Sequence, residues 1–372
     1  MKRDDFDIAV IGGGIIGLST ARALAGERAR VVVIDASAKT PSATHAAAGM
    51  LAPSFEESLG GDTLYQFSAA SLAMWPDYAA ALEEETGACV DLRREGILGV
   101  AFNEGEAEAL VRQCTALQAR GAAVEMITPI EARALEPALT SRLSAVMFAR
   151  DDAQLDPRRL MKALTISLQK RNCAHRAGRA TKITHNGRLW HIDTEDGDLI
   201  GAVRVVIATG ALSDITGLPL PASAVFPVKG EALAVALEVR AAITRVIRGP
   251  GAYICPKSDG QLIIGATEIP GDQKLSVDEG AIARLRDGAA RIAPETENFA
   301  ELRRWAGLRP ATADGAPIVG GAVNAPEGLF YALGHHRNGI LLAPASAAAL
   351  ADLVMNRPGT AEIKAFGPAR FN

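Results

Sequence analysis

The sequence predicts an α/β chain, α+β overall, in which a helix-flanked parallel sheet is interleaved with a second unit built on a large antiparallel sheet. Three observations predict it. An apolar run ends in Gly12-Gly13-Gly14-Ile15-Ile16-Gly17, and Asp35 closes the next apolar run, Val31-Val32-Val33-Ile34, eighteen residues after Gly17. From Val225 to Gly265 the pattern alternates and is rich in β-formers, with Tyr253-Ile254-Cys255-Pro256 and Leu262-Ile263-Ile264-Gly265 as neighbouring strands. Pieces that suit the parallel sheet lie at both ends of the chain and in its middle, with the antiparallel pieces between them. The two units are therefore interleaved rather than tandem.

In chain order, Asp7–Ile11 reads as the first strand, Ile15–Ala25 as the first helix and Val31–Ile34 as the second strand. The segment Thr44-His45-Ala46-Ala47-Ala48-Gly49-Met50-Leu51-Ala52-Pro53 is small and apolar. It reads either as an ordinary helix start or loop, or as backbone packed against a flat ring system where larger side chains would clash. Thr63–Glu85 carries Leu64, Phe67, Leu72 and Trp75 and predicts a long helix. Gly96–Phe102 predicts a strand, and Glu104–Arg120 has helical periodicity. Leu155-Asp156-Pro157 opens a helix over Arg158–Lys170, with Asp156 as N-cap and proline in the first turn. Short strands follow at Thr181–Thr184, Leu189–Asp193 and Arg204–Ala208. The last ends in Ala208-Thr209-Gly210, which suits either a plain strand end or a parallel strand meeting a cofactor. A helix over Asp278–Ala293, a buried strand Leu329–Leu333 and an alanine-rich helix Ala343–Met355 complete the order.

The glycine turn has a chemical reading as a Rossmann-like dinucleotide cradle. Gly12 turns the chain off the strand, Gly14 lets the backbone approach a pyrophosphate, and Gly17 lets the helix pack on the sheet. The helix N-terminus offers free N–H groups and a positive dipole end to phosphates. Asp35 is placed to accept hydrogen bonds from ribose hydroxyls, which points to FAD or NAD rather than a 2′-phosphorylated nucleotide. The motif does not separate those two.

Composition narrows the class. A chain of 372 residues exceeds most single domains, and 48% hydrophobic content supports a large core. The net charge of −4, without a basic stripe or a charge block, argues against a nucleic-acid partner or a disordered tail. Cys89, Cys114, Cys173 and Cys255 are scattered with no CxxC pair, which predicts reduced thiols in a cytoplasmic protein and no metal site. Acidic residues interrupt the N-terminal stretch, so no signal peptide is expected, and no apolar run is long enough for a membrane span.

Seven strings, in order along nearly the whole chain, resemble the D-amino-acid oxidase superfamily of FAD enzymes. They are Val10–Gly17, Ala46-Ala47-Ala48-Gly49-Met50-Leu51, Phe226-Pro227-Val228-Lys229-Gly230-Glu231, Tyr253-Ile254-Cys255-Pro256, Gly265-Ala266-Thr267, Trp305-Ala306-Gly307-Leu308-Arg309-Pro310, and Gly334-His335-His336-Arg337-Asn338-Gly339-Ile340. Within the superfamily the chain is similar to the glycine oxidases of thiamine biosynthesis. The resemblance implies an FAD-binding domain over 1–82, 149–218 and 306–372, and a substrate domain over 83–148 and 219–305. It implies oxidative deamination of glycine, extending to sarcosine or small D-amino acids, with oxygen reduced to peroxide. A homo-oligomer and hand-over of the imine to a thiazole synthase belong to the same expectation. One branch of the superfamily attaches flavin to a cysteine near the Trp305–Pro310 string; no cysteine follows Cys255 here, so the resemblance implies non-covalent FAD. A dehydrogenase of D-amino acids or secondary amines with another electron acceptor, and a non-catalytic flavoprotein subunit, are the alternatives.

The resemblance also assigns residues. Cofactor contacts fall to Gly12, Gly14, Ile15, Ile16, Gly17, Asp35 and Ala36, to Thr44, His45, Ala46, Ala47, Gly49, Met50 and Leu51, to Ala208, Thr209 and Gly210, and to Gly307, Arg337, Asn338, Gly339, Ile340 and Leu341. His45 stands where the family string has Ser or Thr. Arg309 is the expected partner of the substrate carboxylate, because a guanidinium offers two parallel donors to a carboxylate fork. The plain alternative is an internal salt bridge. Tyr253 is expected to donate its hydroxyl to the same carboxylate, against the alternative of a core aromatic. Arg337 is expected to bring positive charge to the ring and substrate, against the alternative of a helix-flanking surface arginine. Neither His335 nor His336 is assigned as a base, because hydride transfer from the α-carbon to flavin N5 needs alignment and an unprotonated amine.

Overall fold

The computed structural model describes residues 4–26, 29–36, 42–56, 61–211, 214–238, 243–358 and 361–371. Among them, the first sheet is built around Asp4–Ile11. That strand pairs in parallel with Leu199–Ile207 on one side and Val31–Asp35 on the other, and Ala174–Ala177 extends the sheet beyond Val31–Asp35. Leu329–Leu333 adds in parallel to the far side of Leu199–Ile207, and Ile318–Gly321 closes that edge antiparallel.

The two-residue period of a strand divides its side chains between two cores. Ile8, Val10, Val31 and Val33 face the core shared with the helices Ile15–Ala25, Gly61–Thr86, Pro157–Lys170 and Gly339–Val354. Ala9, Ile11, Val32 and Ile34 face the opposite core, which holds Ile183, Trp190 and Ile192 of the antiparallel strands 180–185 and 190–194. Burial on both faces is why these strands read as unbroken apolar runs.

The second sheet joins two distant stretches of sequence. Val246–Gly249 pairs in parallel with Ile97–Ala101, so strands 97–101, 124–127 and 145–149 continue the antiparallel array formed by 226–236, 252–256 and 261–265. Helix Glu279–Ile292 covers one face through Ile282, Leu285, Ala289 and Ile292. Its N-cap is Asp278, as Asp156 caps Pro157–Lys170 by accepting from the N–H groups of Arg158 and Arg159.

One long element differs from the sequence expectation. Glu301–Ala311 is an eleven-residue strand paired along Phe226–Ala236, although Gly307 and Pro310 lie within it. Pro310 faces Pro227 in register near the end of the pairing. The strand is continuous through position 306, where the sequence reading divides the two units.

The C-terminal helix begins at Gly339, ahead of the alanine-rich stretch Ala343–Met355, and contains Pro344 near its first turn. Ser71 Oγ donates to the Leu341 carbonyl (2.6 Å), Trp75 Nε1 donates to the same oxygen (3.0 Å), and the Ala345 N–H reaches Ser71 Oγ. The long helix 61–86 therefore serves backbone groups where proline interrupts the ladder. Among the described residues no helix is long and apolar enough to cross a membrane.

Candidate active site

Two adjoining clefts lie where the sheets meet. The first, about 1360 Å³ to its open mouth, runs along the carboxyl ends of the parallel strands and the glycine turn. Gly12, Gly14, Ile15, Ile16, Asp35, Ala36, Thr44 and Ala47 line it, together with Ala208, Thr209, Gly210, Arg337, Gly339 and Ile340. Gly12 has φ +120°, and a Cβ there would overlap the Ala208 carbonyl. A Cβ at Gly17 would overlap the Gly12 carbonyl, so Gly17 serves helix–sheet packing and does not line the cleft. Gly13, unassigned from the sequence, leaves room for the Asp35 carboxylate.

Gly14 is different. Its nearest would-be neighbour is Thr44 Oγ1 at 3.6 Å, so no protein atom forbids a side chain at this N-cap position. The helix N-terminus is also less open than the sequence implies, because the Ile15 N–H is taken by Thr44 Oγ1 at 3.1 Å. The residues present suit a dinucleotide. The backbone approaches closely at a helix start, Asp35 stands at the end of its strand, and the buried Thr209 hydroxyl has no protein partner among the described residues. Sequence reasoning missed Gly178-Arg179-Ala180, which also lines this cleft and is anchored by the Gly178 N–H on the Asp35 carbonyl.

The second cleft, about 1170 Å³ including its open mouth, lies against the antiparallel sheet and shares Ala43, Ala47, His336, Arg337 and Ile340 with the first. Ala46, Gly49, Met50 and Gly307 line it. A Cβ at Gly307 would overlap that of Ala46, and Trp305 Nε1 holds the Ala46 carbonyl at 3.0 Å. Small residues are thus required on both sides of this junction. Besides Gly17, four residues expected to contact the cofactor lie outside both clefts. His45 is exposed, with Nδ1 2.8 Å from Ser42 Oγ. Leu51 and Leu341 are buried in the helical core, and Asn338 is the buried residue before the C-terminal helix.

Arg309 and Tyr253 both line the second cleft. Arg309 is half-buried, and its Nη1 donates to the Thr267 carbonyl at 3.1 Å. Burial lowers its pKa from the ordinary guanidinium value, partly offset by the fields of Tyr253 and Glu268. Thr267 is itself fixed: its Oγ1 accepts the Glu231 N–H at 2.8 Å and lies 3.2 Å from Glu231 Oε2. Glu231 is fully buried and pairs with Lys229 at 3.1 Å. The Lys229-Gly230-Glu231 string therefore holds the loop that holds Arg309. Burial pushes the Tyr253 phenol up to about 12, so it stays protonated and able to donate.

Two glycines make room for these side chains. A Cβ at Gly230 would overlap the Arg309 guanidinium, and one at Gly265 would overlap the Tyr253 hydroxyl. Gly230→Ala is expected to displace Arg309 and, on the reading that Arg309 takes a substrate carboxylate, to weaken carboxylate binding roughly ten- to hundredfold with cofactor content retained. Steady-state KM and cofactor content of the purified variant check this, and an unchanged KM contradicts it.

Three charged residues of this cleft were not singled out from the sequence: Glu56, Arg248 and Glu268. Arg248 pairs with Glu56 at 2.8 Å, and Arg337 pairs with Glu56 at 2.7 Å and Glu268 at 3.3 Å. Arg337 is thus a cleft residue held by two acids. Arg309 has no ion pair among the described residues. The histidines divide. His335 is buried against Ser346 Oγ at 3.0 Å, with burial pushing its pKa down to about 3. His336 faces both clefts, and burial, then Arg337, brings it down to about 4. Both rings are neutral at pH 7.

Asp152 lies outside the two clefts as a buried carboxyl that accepts the Ser54 hydroxyl at 3.0 Å. Burial pushes it up to about 8. The folded protein then keeps a proton that the unfolded chain releases near its ordinary value, so this group's contribution to stability falls as pH rises from about 4 to about 8. Asp152→Asn is expected to gain stability relative to the parent across that window, by roughly 1 °C in Tm per kcal/mol recovered. Parallel Tm–pH curves would show that Asp152 is ionised in the fold.

The matching family model, described as FAD dependent oxidoreductase (DAO), spans residues 7–353. The chain is 35% identical to the glycine oxidase of Geobacillus kaustophilus, over 98% of this chain and 97% of that protein. It is 32% identical to the bifunctional protein ThiO/ThiG of Synechocystis, covering 98% of this chain and 54% of that one. The crystal structure of the Geobacillus kaustophilus glycine oxidase superposes with a TM-score of 0.90 at 34% identity, covering 99% and 98% of the two chains. The chain belongs to the FAD-dependent oxidoreductase family that includes these glycine oxidases.

Proposed function

We propose that the protein oxidises glycine to glyoxylate and ammonia, with oxygen reduced to hydrogen peroxide. One observation carries the reading: of the three guanidiniums lining the second cleft, Arg309 alone has no acidic partner among the described residues, and it lies beside a protonated phenol. An unmatched, half-buried guanidinium is suited to a carboxylate that arrives with the substrate. The glycine oxidase relatives support glycine as that substrate.

When bound, FAD supplies the acceptor for two electrons from the substrate α-carbon and passes them to oxygen. Arg309 takes the carboxylate, and Tyr253 donates its hydroxyl to the same group. The segment Ala46–Gly49 carries no large side chain where it lines the cleft, and Gly307 lets it pack against the strand 301–311. His336 is neutral at pH 7 and adds no positive charge beside the arginines. Residues 1–82, 149–218 and 306–372 form the cofactor unit in this reading, and 83–148 and 219–305 the substrate unit, with Glu301–Ala311 as a shared wall. Non-covalent FAD accords with the absence of cysteine after Cys255. A cytoplasmic homo-oligomer and hand-over of the imine to a thiazole synthase complete the proposal. The four free cysteines support the location, and the fused ThiO/ThiG relative supports the hand-over.

The test is stoichiometry. Per glycine, one oxygen and one water are consumed, and one glyoxylate, one ammonia and one peroxide appear. Between the His336 value of about 4 and the Tyr253 value of about 12, neither of these cleft groups changes charge. kcat/KM is therefore expected to rise with pH on a single limb belonging to the substrate ammonium. A flat profile would contradict that part.

A further inference from the structure

Charges around the substrate cleft form a chain. Arg248 pairs with Glu56, Glu56 with Arg337, and Arg337 with Glu268, at 2.8, 2.7 and 3.3 Å. Glu56 is the inner link, with its side chain 10% exposed. Glu268 is the outer end, 47% exposed at the mouth. His336 Nε2 lies 3.7 Å from Glu268 Oε1. Arg309 stands outside the chain. Glu268 directly follows Thr267, whose carbonyl holds Arg309.

We propose that Glu268 is a specificity-determining residue that restricts the enzyme to amines carrying one carboxylate and rejects those carrying two. The proposal rests on Arg309 receiving the first carboxylate. Two guanidiniums and two carboxylates cancel within the chain, and a substrate carboxylate then balances Arg309. A second carboxylate finds Arg337 already engaged by Glu56 and Glu268, and meets the Glu268 charge at the mouth. Juxtaposed like charges in a confined site are costly. A neutral or cationic substituent carries no such cost. The accepted class is therefore glycine, N-alkyl glycines and small D-amino acids with neutral or basic side chains. Iminodiacetate and D-aspartate fall in the rejected class.

Binding of ligands that cannot be oxidised tests this without turnover. FAD-loaded wild type, Glu268→Gln and Glu268→Ala are each titrated with acetate and with glutarate, and the perturbation of flavin absorbance gives the affinities. Glutarate has the spacing of iminodiacetate without its nitrogen. The ratio of glutarate to acetate affinity is expected to rise about tenfold in both variants. Glutamine keeps the side-chain volume, so its effect reports charge, and alanine supplies the second case should one variant fold poorly. A ratio unmoved in both variants, or wild type binding glutarate as tightly as acetate, overturns the proposal while leaving the Arg309 reading intact. Acetate failing to bind wild type overturns both.

Discussion

Arg309→Ala is expected to weaken binding of glycine and of simple carboxylates by roughly 2–5 kcal/mol, or about 30- to 4000-fold, while the protein remains yellow. The size follows from the surroundings. Arg309 is half-buried, is anchored through one nitrogen on the Thr267 carbonyl, and has no ion pair among the described residues. Most of its charge is thus available to an incoming anion in a partly desolvated cleft. Arg248 and Arg337 cannot take over, because Glu56 and Glu268 already hold them. Arg309→Lys is expected to recover only part of the loss, since an ammonium lacks the planar fork. KM for glycine and Kd for acetate are the measurements. Values within threefold of the parent would reject the assignment.

The second large effect separates two kinds of glycine in one turn. Gly12→Ala places a methyl group into the Ala208 carbonyl at a backbone φ of +120°. Backbone strain of this kind costs about 1–3 kcal/mol, and forced overlap costs a similar amount. Loss of bound FAD and a Tm lowered by about 4 °C or more are expected. Gly14→Ala meets no protein atom closer than 3.6 Å. It is expected to leave the Tm of the FAD-free protein within about 1 °C of the parent, while cofactor affinity falls at least tenfold. Equal loss of fold stability in both variants would refute the reading of Gly14 as a ligand-facing position.

Local signals made much of this molecule legible. Asp156-Pro157 marks a helix start, and helix 157–170 begins there with Asp156 as its cap. The glycine turn and Asp35 are read from spacing alone, because each role depends on neighbours within one βαβ unit. Strand 301–311 is not legible as a strand in the sequence, because Gly307 and Pro310 interrupt the local pattern and its partner, 226–236, lies some 75 residues away. Glu56, Arg248 and Glu268 carry no periodic or motif signal. They come from distant stretches of sequence and become neighbours only in the folded cleft. Gly230 and Gly265 were legible as motif letters but not as the spaces that Arg309 and Tyr253 occupy. The expected cofactor contacts also included passengers. Leu51 and Leu341 belong to the core, and His45 turns to Ser42, because neighbouring residues on a turn or helix face different ways.

The most direct test of the central claim is anaerobic mixing of the purified yellow protein with glycine, followed by admission of air, with flavin absorbance recorded throughout. Sarcosine and D-alanine serve as comparisons. Bleaching by glycine without oxygen, then return of colour with hydrogen peroxide in air, is the expected result. Bleaching that air does not reverse would contradict the oxidase reading in favour of a dehydrogenase, and a flavin that no small amino acid bleaches would contradict amine oxidation at this site.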